Sequence, residues 1–319
     1  MLGMLTFVPR ILTATALSLL LAACSAATTD SEQTSTTAPP PASTATSTEA
    51  PTITTLGGQP DSPCLVGDRP FSTSGVISAF GGATGDAAQV SSLRAGSHPG
   101  CERVVVDLLT ADGAPAGSIG LVGVEYDEEV GIVRINLPES VSRTAVADSR
   151  FDGTLADRAY VVRTTAGHLA IDIHVAAGAG IALRAFEVDA PSRIVVDLRP
   201  NPEASPVRGA TVGDGVVVIE PGPGPATAPL SVAGYSRAFE ANVIVRLHET
   251  RDSPPIAETV TTATDWVEVW GEFQVALAAI PDQQFELFVG SESPRDGTPQ
   301  GAWLSIDPTV TDPPDPDDA

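Results

Sequence analysis

Apolar residues in this chain alternate with polar ones in short runs, and this alternation limits the possible folds more than any other feature. Between residues 64 and 200, no segment keeps the spacing of about 3.6 residues that an amphipathic helix needs over three turns. The alternating runs, separated by turn pairs such as Asp-Gly and Ala-Pro, are 103–108, 131–137, 168–175 and 193–198. The pattern predicts an all-β domain over residues 63–200.

A second strand pattern follows later in the chain. Its runs are 216–220, 243–247, 266–277 and 285–289. Short strands at this spacing predict an immunoglobulin-like sandwich over residues 214–308, without the cysteine pair of antibody domains. Residues 201–213 are polar and proline-rich, which predicts a short hinge. The expected fold class is therefore all-β, with two β-sandwich domains.

The charge of the chain restricts its partners. It has 40 acidic and 17 basic residues, for a net charge of −23, and every basic residue is arginine. Proteins that bind phosphate backbones need clustered basic residues. The composition therefore argues against a nucleic-acid partner.

The N-terminus has the layout of an export signal. Arg10 precedes an uncharged, apolar-rich run that is too short to span a bilayer. The run ends in Leu21-Ala22-Ala23-Cys24, so residues 1–23 resemble a bacterial lipoprotein signal peptide. The resemblance implies cleavage before Cys24 and attachment of diacylglycerol to its sulfur. The alternative is an ordinary secretory signal with a chance cysteine.

Two further segments have the composition of disordered chain. Residues 24–62 are dominated by Ser, Thr, Ala and Pro, which predicts a tether, and the acidic residues 309–319 predict a tail. Cys64 and Cys101 are the two cysteines left after Cys24. In an exported protein an even number favours a disulfide, although two buried thiols are the alternative.

The first domain resembles the AMIN-like domain of actinobacterial envelope lipoproteins. The matching residues are 90–108, which end in Arg-Val-Val-Val-Asp-Leu, and 191–198, which end in Arg-Ile-Val-Val-Asp-Leu. Cys101 departs from the family pattern, which usually has an aromatic residue there. Related AMIN domains are β-sandwiches that position envelope proteins on peptidoglycan. The resemblance therefore implies binding rather than chemistry.

The second domain resembles the immunoglobulin-like domain of bacterial spore germination. Three ordered motifs carry the resemblance: 229–243, 270–273 (Trp-Gly-Glu-Phe) and 291–297. The domain also occurs in envelope proteins of bacteria that form no spores. The resemblance therefore implies an immunoglobulin-like fold without implying a role in germination.

The sequence lacks the usual catalytic motifs, and we expect neither an enzyme nor a cofactor. A strand over 168–175 would place His168, Asp172 and His174 on one face, but the two histidines lie too far apart along a strand to share one metal ion. The alternation predicts instead that these side chains form a solvated outer face. No metal site is expected.

A candidate binding surface lies in the second domain. In a strand starting at residue 266, Trp266, Glu268 and Trp270 would share the outer face with Glu272. Indoles beside carboxylates can stack on sugar rings and accept hydroxyl hydrogen bonds. The alternative is that a tryptophan packs on the sandwich edge, with a strand that starts late.

Together these features predict a membrane-anchored, extracytoplasmic and non-enzymatic lipoprotein. Its partners would be the membrane, through the lipid anchor, and peptidoglycan or another envelope protein. Two alternatives remain open at this point: an accessory part of a cell-wall hydrolase system, and a ligand-binding lipoprotein with a pocket between its domains.

Overall fold

The computed structural model describes residues 63–309. The predicted signal peptide over 1–23, the predicted lipidation residue Cys24 and the predicted tether over 24–62 lie outside the described residues, as does all but the first residue of the predicted tail. Within the described part of the chain, no helix has the length and apolar character needed to cross a membrane. The described residues form an all-β protein, which confirms the predicted fold class.

The first domain is a sandwich of two sheets. Its strands are β1 (Gly75–Phe80), β2 (Ala87–His98), β3 (Cys101–Thr110), β4 (Val122–Asp127), β5 (Ile132–Asn136), β6 (Arg143–Thr144), β7 (Asp148–Arg150), β8 (Ala156–Arg163), β9 (Leu169–Val175), β10 (Ile181–Val188) and β11 (Arg193–Pro200). One sheet has the order β1-β4-β5-β9-β8, with β7 also paired to β8, and the other has the order β10-β11-β3-β2-β6. The apolar residues of the alternating runs fill the space between these sheets.

The second domain is also a sandwich. Its strands are β12 (Thr211–Gly213), β13 (Val216–Glu220), β14 (Gly224–Ala226), β15 (Leu230–Ser236), β16 (Asn242–His248), β17 (Pro255–Thr262), β18 (Trp270–Leu277), β19 (Phe285–Glu292) and β20 (Pro299–Pro308). One sheet has the order β18-β15-β13-β12 and the other β14-β20-β19-β16-β17. A short 3₁₀ helix, Phe239–Ala241, precedes β16.

The two sandwiches share a sheet. Strand β18 pairs in parallel with β8 through Trp270 opposite Val162 and Gly271 opposite Arg163. This short pairing joins one sheet of each sandwich into a continuous ten-stranded sheet. The domains are therefore connected by backbone pairing as well as by the linking segment.

The predicted hinge over residues 201–213 is a docked segment, and that prediction was wrong. Val207 is only 3% exposed and belongs to the core of the first domain. Its side chain packs over Gly131, where an added Cβ would come within 2.7 Å of it and where φ is +83°. The amides of Arg208 and Gly209 donate to the carbonyls of Glu129 and Val130. The burial of Val207 and these backbone hydrogen bonds thus hold the segment on the first domain, although its composition is typical of a hinge.

The motif Arg-Val-Val-Val-Asp-Leu at 103–108 recurs as Arg-Ile-Val-Val-Asp-Leu at 193–198, and the two copies form a symmetric antiparallel pair of strands. Arg193 on β11 lies opposite Asp107 on β3, and Asp197 lies opposite Arg103. The arginine of each copy therefore contacts the aspartate of the other, with nitrogen–oxygen distances of 2.6 Å for Arg103–Asp197 and 3.2 Å for Arg193–Asp107. Cross-strand pairs of this kind stabilise the sheet and fix its register.

A disulfide ties the start of the described chain to the first domain. It joins Cys64 to Cys101 at the start of β3, with the two Cα atoms 6.3 Å apart. Both cysteines are buried. The bond holds the segment before β1 against the sheet that contains β3, β10 and β11.

Candidate functional site

The junction between the domains is a buried aromatic cluster. Tyr160 of the first domain packs against Tyr235 and Trp270 of the second, with ring centroids 5.2 and 4.9 Å apart. The hydroxyl group of Tyr235 is hydrogen-bonded to Nε2 of His174. Tyr160 and Tyr235 are fully buried. In isolated sandwiches the outer faces of strands β8, β9, β13 and β15 would meet water. Here the outer face of β8 and β9 in the first domain packs against that of β13 and β15 in the second.

An ion-pair network that includes the buried Asp172 crosses the same junction. Arg134 on β5 donates from Nε and Nη2 to both carboxylate oxygens of Asp172, at 2.8 and 2.6 Å, and from Nη1 to Glu272 of the second domain, at 2.6 Å. Asp172 has no exposed surface. Burial disfavours the charge on Arg134, but the Asp172 carboxylate more than compensates, so the pKa of Arg134 lies above its ordinary value.

The predicted solvated row of His168, Asp172 and His174 is therefore wrong for two of its members. His168 is exposed, but Asp172 and His174 are buried beneath the second domain. Alternation correctly placed Asp172 and His174 on the face opposite the first-domain core. It could not show that another sandwich covers that face. Within residues 63–309, no group of His, Cys, Asp and Glu side chains is arranged to hold a metal ion.

The candidate binding surface is also rearranged. Strand β18 begins at Trp270, so residues 266–269 form a loop rather than a strand. Trp270 is 8% exposed and its Nε1 donates to Asp148 at 3.1 Å, which removes it from any binding surface. Glu268 is exposed and lies 3.7 Å from Arg163. Trp266 is half-buried and packs against the edge of the second core.

Asp265 fixes the loop that carries Trp266. One carboxylate oxygen accepts from the amides of Val267 and Glu268, at 2.9 and 3.2 Å, and the other accepts from Nε of Arg163 in the first domain, at 2.8 Å. Burial opposes the charge of Asp265, but the Arg163 hydrogen bond and these amides outweigh burial and lower its pKa. The loop is therefore held by both domains.

An exposed aromatic patch forms where this loop meets the short 3₁₀ helix. The ring of Phe239 stands edge-on to Trp266 with centroids 5.2 Å apart. Phe239 is 52% exposed and the adjacent Val267 is 64% exposed. We call Phe239, Trp266 and Val267 the aromatic patch. Sequence reasoning missed Phe239, because nothing in the linear spacing places it beside Trp266.

The backbone under the aromatic patch is strained. Glu240 and Ala241 both have φ of +57°, in the left-handed region that residues other than glycine seldom adopt. Ala241 is buried, and its carbonyl accepts from the amide of Ala263 at 2.9 Å. Such strain costs about 1–3 kcal/mol for each residue and persists only where the surrounding structure enforces it. The position of Phe239 is thus specified by the fold.

A cleft of about 370 Å³ opens beside the domain junction. The first domain provides most of its lining, including Tyr126 and Arg134, and Ile219 comes from the second domain. Its volume falls within the range of small-molecule sites. However, Arg134 and Asp172 in its lining are already paired with each other. The cleft therefore offers few unpaired polar groups with which to select a ligand.

Comparisons with known proteins identify part of the chain. Neither the curated proteins nor the solved structures contain a match to it. Residues 205–298, which include the strands β12 to β19 and the aromatic patch, match the family described as the immunoglobulin-like domain of bacterial spore germination.

Proposed function

We propose that this protein is a lipid-anchored, extracytoplasmic binding module that contacts the cell wall. The observation that carries the proposal is the aromatic patch, in which the exposed ring of Phe239 stands against the half-buried Trp266, on a loop that both domains hold in place. Rigid aromatic side chains supply contact area at little entropic cost, and their faces suit sugar rings. The match of residues 205–298 to an immunoglobulin-like family is compatible with this role.

The resemblance of the first domain to AMIN-like domains supports the same role, since related domains position envelope proteins on peptidoglycan. The rigid connection between the sandwiches has a consequence for this role. Because backbone pairing and an ion-pair network join the domains, a surface on each would bind at a fixed distance from the other. Peptidoglycan, or an envelope protein associated with it, is the partner that we propose.

Lipid anchoring is tested at Cys24. We expect Cys24→Ser to abolish labelling by a fatty-acid analogue and to leave unprocessed precursor, because a hydroxyl group is a far weaker nucleophile than a thiolate. The measurement is metabolic labelling of the full chain, followed by fractionation. A Ser variant that is still labelled and processed would show that the anchor is not at this residue.

Wall contact is tested at the aromatic patch. We expect Trp266→Ala and Phe239→Ala each to weaken binding of the full chain to purified wall sacculi about tenfold, the loss typical of an aromatic contact residue. The measurement is co-sedimentation. Leu121→Ala is the matched control, because Leu121 is also an exposed apolar residue and lies on the first domain. Thermal melts verify that each variant is folded.

Phe239→Ala is the more decisive of the two variants, because Phe239 is exposed and contributes little to the core. If both patch variants sediment with sacculi as well as the unmodified chain, the aromatic patch does not make the wall contact. An equal loss in Leu121→Ala would likewise count against a specific site.

A further inference from the structure

The outer face of the sheet formed by β10, β11 and β3 carries alternating cations and aromatic rings. The guanidinium of Arg69 lies 5.1 Å from the ring centroid of Phe186, and that of Arg199 lies 4.5 Å from that of Phe71. Arg184 lies between the two rings, at 5.6 Å from Phe186 and 4.8 Å from Phe71. We call these five residues the arginine–phenylalanine ladder.

The ladder is held rigidly by its central residue. Arg184 is 4% exposed, and its Nε donates to Asp197 at 3.1 Å. Its Nη2 donates to the carbonyls of Cys64 and Val66, at 3.1 and 2.9 Å, and its Nη1 donates to that of Arg69, at 3.3 Å. The disulfide of Cys64 fixes the same segment. The segment that carries Arg69 and Phe71 is therefore preorganised on the sheet.

The two ends of the ladder are cations without a counter-ion. Among residues 63–309, four arginine side chains have neither an ion pair nor a hydrogen bond: Arg69, Arg150, Arg199 and Arg295. Two of the four thus lie on the ladder, and both are exposed. Asp197 is shared by Arg184 and the neighbouring Arg103, so it cannot neutralise them both. This face carries a net positive charge on a chain whose total charge is −23.

We propose that the arginine–phenylalanine ladder binds an acidic polysaccharide. Arg69 and Arg199 are separated along the ladder by two aromatic rings, which suits negative groups spaced along a polymer better than one small anion. Phe71 and Phe186 remain partly exposed and offer apolar contact for sugar rings. Guanidinium groups pair well with both carboxylates and phosphates.

The acidic remainder of the protein does not prevent this binding. At physiological ionic strength, charges more than about 8 Å apart are largely screened. The ligand therefore senses chiefly the local cations of the ladder. The ladder lies on the first domain, whereas the aromatic patch lies on the second. This proposal therefore goes beyond the wall contact proposed for the aromatic patch and does not depend on it.

The proposal is tested with the full chain and three immobilised polymers: polygalacturonate, which carries carboxylates, phosphomannan, which carries phosphodiesters, and neutral dextran. We expect binding to at least one acidic polymer and none to dextran. Arg69→Gln/Arg199→Gln should weaken that binding about tenfold, since two exposed ion pairs are lost. The matched control is Arg150→Gln/Arg295→Gln, which makes the same charge change with two equally unpaired arginines elsewhere and should bind as the unmodified chain does.

Three results would overturn the proposal: no binding to either acidic polymer, an equal loss in both double variants, or equally tight binding of a single-stranded DNA oligonucleotide. An equal loss would mean that net charge alone governs binding. Trp266→Ala separates this site from the wall contact. It should keep full binding to the acidic polymer even if it no longer sediments with sacculi, whereas loss of polymer binding in this variant would refute a separate site.

Discussion

Replacing Arg134 with Met should lower the free energy of unfolding by about 3–5 kcal/mol, the cost of leaving a buried charge without its partner. Asp172 has no exposed surface, and Arg134 is the cation that neutralises it. The variant also loses the ion pair to Glu272 across the junction. Chemical denaturation of the full chain measures the loss, with circular dichroism as the probe.

Arg246→Met is the matched control for this experiment. Arg246 also contacts two carboxylates at 2.6 Å, Glu258 and Glu292, but both of these are exposed. Exposed pairs of this kind contribute about 0–1 kcal/mol each. The double variant Arg134→Met/Asp172→Asn should recover part of the stability, because it also removes the buried charge of Asp172 that Arg134→Met leaves unpaired. If Arg134→Met costs no more than Arg246→Met, the junction is not held by this ion-pair network.

Acidification from pH 7.5 to pH 5 should destabilise the protein through His174. Burial lowers the pKa of His174 from 6.5 to about 4, and attraction to Asp172 and Asp157 offsets only part of this effect. Between these values the unfolded chain binds a proton that the folded chain excludes, so stability falls as pH falls. The loss at pH 5 is about 2 kcal/mol. This corresponds to about 4–8 °C in melting temperature.

The contribution of His174 is isolated by comparing variants. Carboxylates also begin to protonate at low pH, so the measured quantity is the difference between the unmodified chain and His174→Gln over this pH range. His168→Gln, which alters an exposed histidine just before the same strand, is the matched control. A His174→Gln profile parallel to that of the unmodified chain would show that His174 does not resist protonation in the folded state.

Most of the runs that the local sequence predicted to be strands are strands in the structure. The predicted runs 103–108 and 193–198 lie within β3 and β11, and 243–247 lies within β16. Alternation is sufficient there, because successive side chains on a strand point to opposite faces and one face meets the core. The run starting at Trp266 failed because Asp265 binds the following amides and turns the chain before the strand begins. Because this loop contains the same residue types as a strand, the alternating pattern did not distinguish the two.

The candidate site was only partly predictable. Trp266 was identified from its sequence, but Phe239 joins it through a left-handed turn that no alternating pattern indicates. Trp270 was assigned to the surface because it follows the alternation of a solvated strand. In the structure it packs against Tyr160 of the other domain.

What the sequence determined by itself is the all-β class and the faces of the strands, because side-chain alternation and turn residues act over a few positions. The tertiary structure alone decided what covers each face. Asp172 and His174 are polar residues on an outward face, and only the second sandwich makes that face an interior. The segment 201–213 is composed like a hinge, yet it docks because Val207 finds a space above Gly131. Contacts between residues distant in the chain depend on the packing of whole sheets, which no local pattern encodes.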